Sequence, residues 1–368
     1  MSSPSSTPLF SGGVQKYAWV DLGKGVCMIL VVLLHVSHWF ERDISHGAVG
    51  PWIHLSDFLT PLRMPLFFFI SGFLATRAIR RPLRETKART VGLYYLYIVW
   101  TLVAALRRIV LFAAGQSAWP TFIDVASGLF FPTLFWYIWA LGAYFLVTKA
   151  LMGVLGKNSD LALIPVFVLA AVAPFISDWS RELLQPRMDG IELGSIAANL
   201  AWFYFGVHGT TAWLAIMRKA SKPKLFVFTG VYFAVYAAGF GLGVLTEVKV
   251  ILAPIAIMAA AQWLSLARTT TRASRILQAV GSLTLPVYIL HFFALSAAGT
   301  LIMVSGLVPV LQKNLGVSGA IVPPALTALI VWSTYKVGRI AMRAPARWMM
   351  AAPAWMLRPG HNASHRIS

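Results

Sequence analysis

Apolar residues recur along the chain in long blocks that are separated by short polar connections. Ten blocks approach the roughly 20 residues that an α-helix needs to cross a bilayer. They lie at approximately 18–40, 56–76, 91–114, 130–150, 160–177, 195–217, 225–245, 248–267, 280–304 and 318–338. Prolines interrupt or border the fourth, fifth and eighth blocks. The pattern predicts an all-α, polytopic membrane helical bundle of about ten transmembrane helices.

Composition supports this class of protein. The chain is 58% hydrophobic and only 12% charged, with a mean hydropathy of +0.72, which is a balance that soluble domains do not carry. The single cysteine, Cys27, falls inside the first apolar block. It excludes a disulfide within the chain and a zinc cluster built from thiolates. We therefore expect no metal site and no permanently bound cofactor.

The net charge of +19 bears on topology. On a soluble protein it would indicate nucleic acid, but cytoplasmic loops of membrane proteins are enriched in Lys and Arg. Placing the N-terminus in the cytoplasm assigns 22 of the 31 basic residues to the cytoplasmic side and five to the other. We predict cytoplasmic termini, a multi-pass protein of the bacterial inner membrane in contact with membrane lipid, and no nucleic-acid partner.

The pattern of apolar and polar residues divides the chain into three predicted regions. Residues 1–16 are rich in Ser and Pro and are predicted to be a disordered cytoplasmic N-terminus. Residues 17–340 hold all the apolar blocks and form the membrane domain. Residues 341–368 are predicted to be a basic cytoplasmic tail.

The first apolar block carries three ionisable residues on one stripe. Lys24 and His35 are eleven positions apart, which places them about 20° apart on the helix and roughly 16 Å apart along its axis. Asp21 lies within about 40° of the same stripe. One interpretation is a structural ion pair with a histidine that bonds a neighbouring helix. The other is a stripe that lines a wet cavity, with His35 as a general base near neutral pH.

The second block contains Ser71 and Gly72 and leads directly into a basic loop. Gly72 would allow close helix approach and Ser71 could bond a neighbour, so packing alone could explain the pair. Residues 77–89, which we call the arginine loop, hold six cations, among them Arg77, Arg80, Arg81 and Arg84. Its basicity could reflect cytoplasmic topology alone, or it could form an anion site, because arginine forks match phosphate oxygens in pairs.

Two further segments carry candidate chemistry. Trp136 and Tyr137 lie in the segment TLFWYIWAL, where an aromatic belt at the membrane interface is the simplest explanation. The ninth block contains Tyr288 and His291. A second histidine at membrane depth again suggests a wet interior, although a core histidine with satisfied hydrogen bonds fits as well.

Four of these features occur together and in a fixed order. They are D-x-x-K-G followed by V-V-x-x-H in the first block, MPLFFFISGFL in the second, the aromatic motif at Trp136-Tyr137, and LPVYILH in the ninth. Over roughly residues 17 to 338 the chain resembles the integral-membrane acyltransferase 3 family. Many members have an arginine where this chain has Lys24. The lysine version is similar to the branch of exopolysaccharide and glucan O-acyltransferases.

The resemblance implies an O-acyltransferase. Such an enzyme would move an acyl group, most commonly acetyl, from cytoplasmic acyl-CoA to a sugar hydroxyl of an extracytoplasmic or lipid-linked glycan. Acyl-CoA would be a donor substrate, and polysaccharide-synthesis proteins would be partners. The implied roles are catalytic for His35, Asp21 and Lys24, donor-binding for Ser71, Arg77, Arg80, Arg81 and Arg84, and substrate-binding for Trp136, Tyr137, Tyr288 and His291. His35 would either deprotonate the hydroxyl or carry the acyl group itself.

A transporter remains an alternative from the residues alone. In a proton-coupled secondary transporter or a flippase of a small anion or lipid-linked sugar, Asp21, Lys24 and His35 would form a proton relay. Such proteins often show internal repeats and paired Gly/Pro breaks. The sequence shows neither.

Overall fold

The computed structural model describes residues 17–47, 50–113, 126, 128–132, 134–176, 193–343 and 345–357. Within these ranges every regular element is a helix, which confirms the predicted all-α class. The predicted disordered N-terminus at 1–16 lies outside the described residues.

The first part of the described chain, up to residue 218, contains the following α-helices. They are α1 (Ala18–Asp43), α2 (Pro51–Phe58), α3 (Thr60–Ile79), α4 (Val91–Ala113), α5 (Trp136–Leu155), α6 (Leu163–Ala171), α7 (Leu193–His208) and α8 (Thr210–Arg218). The helices of the second part are α9 (Lys222–Gly241), α10 (Leu245–Leu266), α11 (Arg272–Ser282), α12 (Thr284–Val304), α13 (Val308–Lys313), α14 (Leu315–Ala341) and α15 (Ala354–Leu357).

Eight segments of the described chain are helical, long and apolar enough to cross a membrane. Seven are α1, α3, α4, α9, α10, α12 and α14, each with its flanking turn where one is present, and the eighth combines α5 and α6. They lie in predicted spans and show a polytopic membrane bundle. The direction in which the helices cross the membrane stays a prediction.

The predicted fifth and sixth spans are interrupted helices. The nine residues of α6 extend only about 13 Å and follow a turn that begins at Gly156, where φ is +55°. The sixth span divides at Gly209 into α7 and α8. A side chain at Gly209 would collide with the carbonyl and ring of Phe205. Hydropathy does not register such a break, so the sequence predicted one continuous helix over 195–217.

Helix α1 lies at the centre of the bundle, and more than half of its residues are buried. It packs against α3, α10, α11, α12 and α14. Two glycines allow the closest of these approaches, because a Cβ on Gly25 would overlap the carbonyl of Leu277 and one on Gly281 would overlap the carbonyl of Asp21. Small residues at helix crossings are typical of membrane bundles.

A second close crossing joins α3 to α7. A Cβ on Gly72 would overlap the carbonyl of Phe203, and one on Gly206 would overlap the carbonyl of Phe69. The packing explanation for Gly72 is therefore confirmed. Because backbone meets backbone here, the crossing fixes the position of Ser71 one residue earlier.

The outer surface of the bundle is apolar. Large side chains that are at least 60% exposed include Val154, Phe226, Phe240, Leu301 and Trp332. A soluble protein rarely exposes so many large apolar groups, whereas hydrocarbon solvates them. The chain is a multi-pass membrane protein.

The start of the predicted tail packs on the bundle. The indole Nε1 of Trp100 donates to the carbonyl of Met349 at 2.7 Å, and the Tyr95 hydroxyl donates to the carbonyl of Trp348 at 3.2 Å. Met350 is almost fully buried. The folded unit therefore continues beyond the predicted boundary at 340, while residues 358–368 lie outside the described part of the chain.

Candidate active site

Helices α1 and α3 run antiparallel, and their contacts define two ends of the bundle. The rings of Trp19 and Phe73 are 4.9 Å apart at one end. Near the other end, Arg63 of α3 interacts electrostatically with His35 of α1. The N-terminal end of α1 therefore lies at the same end of the bundle as the arginine loop.

Asp21 and Lys24 form an ion pair at the arginine-loop end. Lys24 Nζ lies 3.0 Å from Asp21 Oδ1, and the side chains of Lys24 and Asp21 are 17% and 15% exposed. Each charge compensates the other, which lowers the cost of placing both inside the bundle. The predicted ion pair is confirmed.

Two cations hold the arginine loop to the bundle, Lys149 of α5 and Arg89 at the end of the loop itself. Lys149 Nζ donates to the carbonyls of Ile79 and Arg81, at 2.7 and 2.5 Å. Arg89 donates to the carbonyl of Leu74 at 2.9 Å. The side chains of Arg77, Arg80, Arg81 and Arg84 are exposed. The loop thus presents four guanidinium groups at the surface on a fixed backbone.

His35 lies beside the second predicted histidine. The ring centroids of His35 and His291 are 5.2 Å apart, and the ring of Phe292 lies 4.6 Å from His35 and 4.1 Å from His291. His35 is half-buried, whereas His291 is fully buried. Two imidazoles that are 256 residues apart in sequence therefore share one site at the α1–α12 contact.

Hydrogen bonding distinguishes the two ring nitrogens of His291. Its Nδ1 lies 2.5 Å from the carbonyl oxygen of Tyr288. A carbonyl can only accept, so Nδ1 carries the proton and donates. The Nε2 atom is buried and has no hydrogen-bond partner. A neutral His291 therefore offers an unused lone pair beside His35, and only one of its two nitrogens is satisfied.

A chain of polar contacts joins α3 and α5 to this histidine pair. Ser71 Oγ donates to the Phe67 carbonyl at 2.8 Å and lies 3.0 Å from the Tyr137 hydroxyl. The backbone N–H of Tyr137 donates to the Tyr288 hydroxyl at 3.4 Å, and the two tyrosine rings are 5.3 Å apart. Ser71, Tyr137, Tyr288, His291 and His35 therefore form one cluster, which we call the histidine cluster.

The aromatic-belt interpretation is wrong for Tyr137. Its side chain is 5% exposed and lies in the core of the bundle, because α5 turns this face toward Ser71. Its neighbour Trp136 is half-buried, with its ring 5.7 Å from that of Phe68. One residue of the motif thus belongs to the site, and the other flanks it.

The Ser71–Tyr137 hydrogen bond gives a direct test of this geometry. We expect Ser71→Ala and Tyr137→Phe each to lower the free energy of unfolding by about 1 kcal/mol, since each removes the hydrogen bond that joins the two side chains. The double variant should cost less than the sum of the two. Thermal unfolding of the two single variants and the double variant measures the three losses of stability. If the loss in the double variant equals the sum of the other two, the two side chains do not interact.

The predicted site residues thus occupy two places. Asp21, Lys24 and the arginine loop lie at one end, and His35 lies roughly 16 Å along α1 from Lys24. Ser71, which is predicted to bind the donor with the arginines, contacts Tyr137 of the histidine cluster. In the described ranges, no three His, Cys, Asp or Glu side chains are placed to hold a metal ion.

Arg63 is a residue of the site that the sequence did not assign. It is 5% exposed, and its Nε and Nη1 atoms are buried without hydrogen-bond partners. It lies near His35 and Cys27 of α1. The available signal was an arginine at the start of an apolar run, which could equally mark the edge of a span.

Comparisons with known proteins identify the family of the chain. The family described as Acyltransferase domain (Acyl_transf_3) matches residues 17–335. Inner membrane protein YcfT of Escherichia coli (strain K12) is 39% identical over 72 residues, which cover 18% of this chain and 20% of YcfT.

Two nodulation proteins NolL are also similar to the chain. The protein of Sinorhizobium fredii is 29% identical over 132 residues, and that of Mesorhizobium japonicum is 28% identical over 144 residues. These alignments cover 35% of each NolL protein and 35% and 36% of this chain. The matched part is therefore about a third or less of each curated relative. No solved structure matches the chain. Since the family match covers most of its length, the chain belongs to the family described as Acyltransferase domain.

Proposed function

We propose that the protein is an O-acyltransferase of the bacterial inner membrane that moves an acetyl group from cytoplasmic acetyl-CoA to a sugar hydroxyl of a glycan or lipid-linked glycan. The observation that carries the proposal is the pair of neighbouring imidazoles, His35 and His291, inside a membrane acyltransferase. Imidazole is the usual general base for a hydroxyl near neutral pH. The similarity to the inner membrane protein YcfT supports the location.

The arginine loop is the proposed entry point for the donor. Arg77, Arg80, Arg81 and Arg84 are exposed around one end of α3, and guanidinium groups match the phosphates of CoA. The Asp21–Lys24 pair lies at the same end. From there to His35 is roughly 16 Å along α1, which is on the order of the length of an extended pantetheine arm. A donor with its phosphates at the loop could thus present its thioester to the histidine cluster.

Removing two arginines from the loop tests the donor site. We expect the double change R80Q and R84Q to raise the KM for acetyl-CoA about five- to tenfold, because each exposed charge pair contributes up to about 1 kcal/mol. The kcat should change little. Steady-state kinetics with the purified protein measure both constants.

The matched control removes two exposed cations elsewhere. Arg218 and Lys222 are exposed and lie on another connection with the same predicted cytoplasmic side. The double change R218Q and K222Q should leave the KM for acetyl-CoA unchanged. An equal rise in both double variants would mean that net charge, rather than the arginine loop, determines donor binding.

The proposed reaction at the histidine cluster is a direct transfer. His35 takes the proton of the sugar hydroxyl as its oxygen attacks the thioester carbonyl carbon. The carbon–sulfur bond breaks, the new ester bond forms, and the CoA thiolate leaves with the proton that His35 returns. The free Nε2 of His291 accepts a hydrogen bond from the acceptor, which helps to orient the hydroxyl.

The acceptor class can be tested in cells. Deleting the gene should remove an ester-linked acetyl group from a surface or lipid-linked glycan, and the wild-type gene should restore it. Mass spectrometry of the glycans before and after mild alkali detects the group. Glycans that are identical with and without the gene would contradict a sugar acceptor.

A further inference from the structure

Arg63 carries a buried charge that the described part of the protein leaves incompletely bonded. Its side chain is 5% exposed, and the Nε and Nη1 donors have no partner. A guanidinium is always protonated. An uncompensated buried charge is costly, as are unsatisfied buried donors. Such an arrangement is retained where an anion arrives during function.

The position of Arg63 on α3 places its side chain on the face that packs against α1. Ile70 follows Arg63 by seven residues and therefore lies about 20° from it on the helix. A Cβ on Gly23 of α1 would contact Ile70, so this face of α3 packs on α1. Arg63 also lies near Cys27 and His35, which are two turns apart on α1.

Neighbouring acidic groups do not satisfy the charge. Asp57 of α2 interacts with Arg63 electrostatically, but the Asp57 side chain is exposed and no hydrogen bond reaches Nε or Nη1. Each of these free donors can bind an oxygen anion. We propose that Arg63 is a catalytic residue that stabilises the oxyanion formed on the acyl carbonyl during transfer.

This inference rests on the proposed function and adds a group to its mechanism. When the hydroxyl oxygen attacks the thioester, negative charge moves to the carbonyl oxygen. As the carbon–sulfur bond breaks, the electron pair on that oxygen re-forms the carbonyl double bond and the charge leaves with the CoA sulfur. Donors aimed at the developing charge act mainly on kcat, and removal of one commonly costs a factor of about 100 to 1000.

Three substitutions at Arg63 separate the possible roles. Arg63→Gln should lower kcat about 100-fold with the KM for acetyl-CoA unchanged. Arg63→Lys keeps the charge but loses the fork, so it should recover part of the lost rate. Arg63→Met should lower kcat as Gln does and raise the melting temperature of the ligand-free protein by about 2 °C, because it removes an uncompensated buried charge.

Arg107 provides the control. Its guanidinium donates to Ser296 of α12, so it is an arginine with a partner on the same helix as His291. Arg107→Gln should keep the wild-type kcat. Wild-type protein without transfer activity would refute the proposed function itself, independently of Arg63.

With an active wild-type enzyme, three results would overturn the role of Arg63. One is an unchanged kcat in Arg63→Gln. Another is a fall in kcat that accompanies a fall in melting temperature in all three variants, which indicates a structural role. The third is a higher KM for the acceptor at unchanged kcat, which would mean that Arg63 binds a carboxylate or phosphate of the acceptor.

Discussion

Replacing His35 with alanine is expected to lower acyl transfer by about a thousandfold or more while the protein stays folded. General base catalysis by a positioned side chain commonly contributes a factor of 10² to 10⁴, and without it the sugar hydroxyl must attack while still protonated. His35 is half-buried, and its ring contacts are with the rings of His291 and Phe292. Its loss should therefore affect the bundle little.

His38 is the matched control for this experiment. It lies three residues further on α1, and its side chain is 53% exposed and 3.7 Å from Glu41. His38→Ala should keep nearly full activity. Activity comes from steady-state transfer assays, and folding from gel filtration and thermal unfolding. A His35→Ala protein with wild-type rates would show that another residue takes the proton.

A comparison of the wild type with His35→Ala separates the two possible roles of His35, general base and acyl carrier. Incubation with acetyl-CoA in the absence of acceptor should leave the wild-type mass unchanged if His35 is a base. An added acetyl group in the wild type that is missing from His35→Ala would instead identify His35 as an acyl carrier.

Replacing Gly72 with valine is expected to prevent accumulation of folded protein. The new side chain would meet the carbonyl of Phe203 and the Cα of Gly206, which are backbone atoms that cannot rotate away. Overpacking of this kind costs roughly 3 kcal/mol or more, a large part of the stability of a typical protein. Gel filtration should show a loss of the monodisperse peak, and thermal unfolding should show a much lower midpoint.

Gly230 of α9 provides the control for helix propensity. A Cβ at this position would meet no atom within 4 Å, so Gly230→Val tests the same substitution in open space. It should leave both yield and melting temperature close to wild type. A Gly72→Val protein that is stable but inactive would show that Gly72 serves a ligand rather than the α3–α7 crossing.

The sequence was sufficient for the main features of the fold. Apolar block length predicted the long helices, because a spanning helix needs about 20 apolar residues whatever its neighbours. Helical periodicity placed Asp21, Lys24 and His35 on one stripe, and the Asp21–Lys24 ion pair is present at 3.0 Å. These are properties of single helices, so one sequence determines them.

Features that depend on contacts between helices could not be derived in the same way. The helix breaks at Gly209, where a side chain would collide with the ring and carbonyl of Phe205, and hydropathy is insensitive to such a break. The burial of Tyr137 depends on which face α5 turns toward Ser71. The proximity of His35 and His291 and the unsatisfied donors of Arg63 are likewise consequences of packing.

The most direct test of the account is transfer by purified protein in proteoliposomes. Acetyl-CoA labelled in the acetyl group is supplied on the side of the arginine loop, a glycan acceptor on the other, and free CoA and acetylated glycan are measured together. A membrane O-acyltransferase should release equal amounts of both products, only when the acceptor is present, and His35→Ala should release neither. Passage of an anion or lipid-linked sugar across the bilayer without cleavage of the thioester would contradict it and identify a transporter.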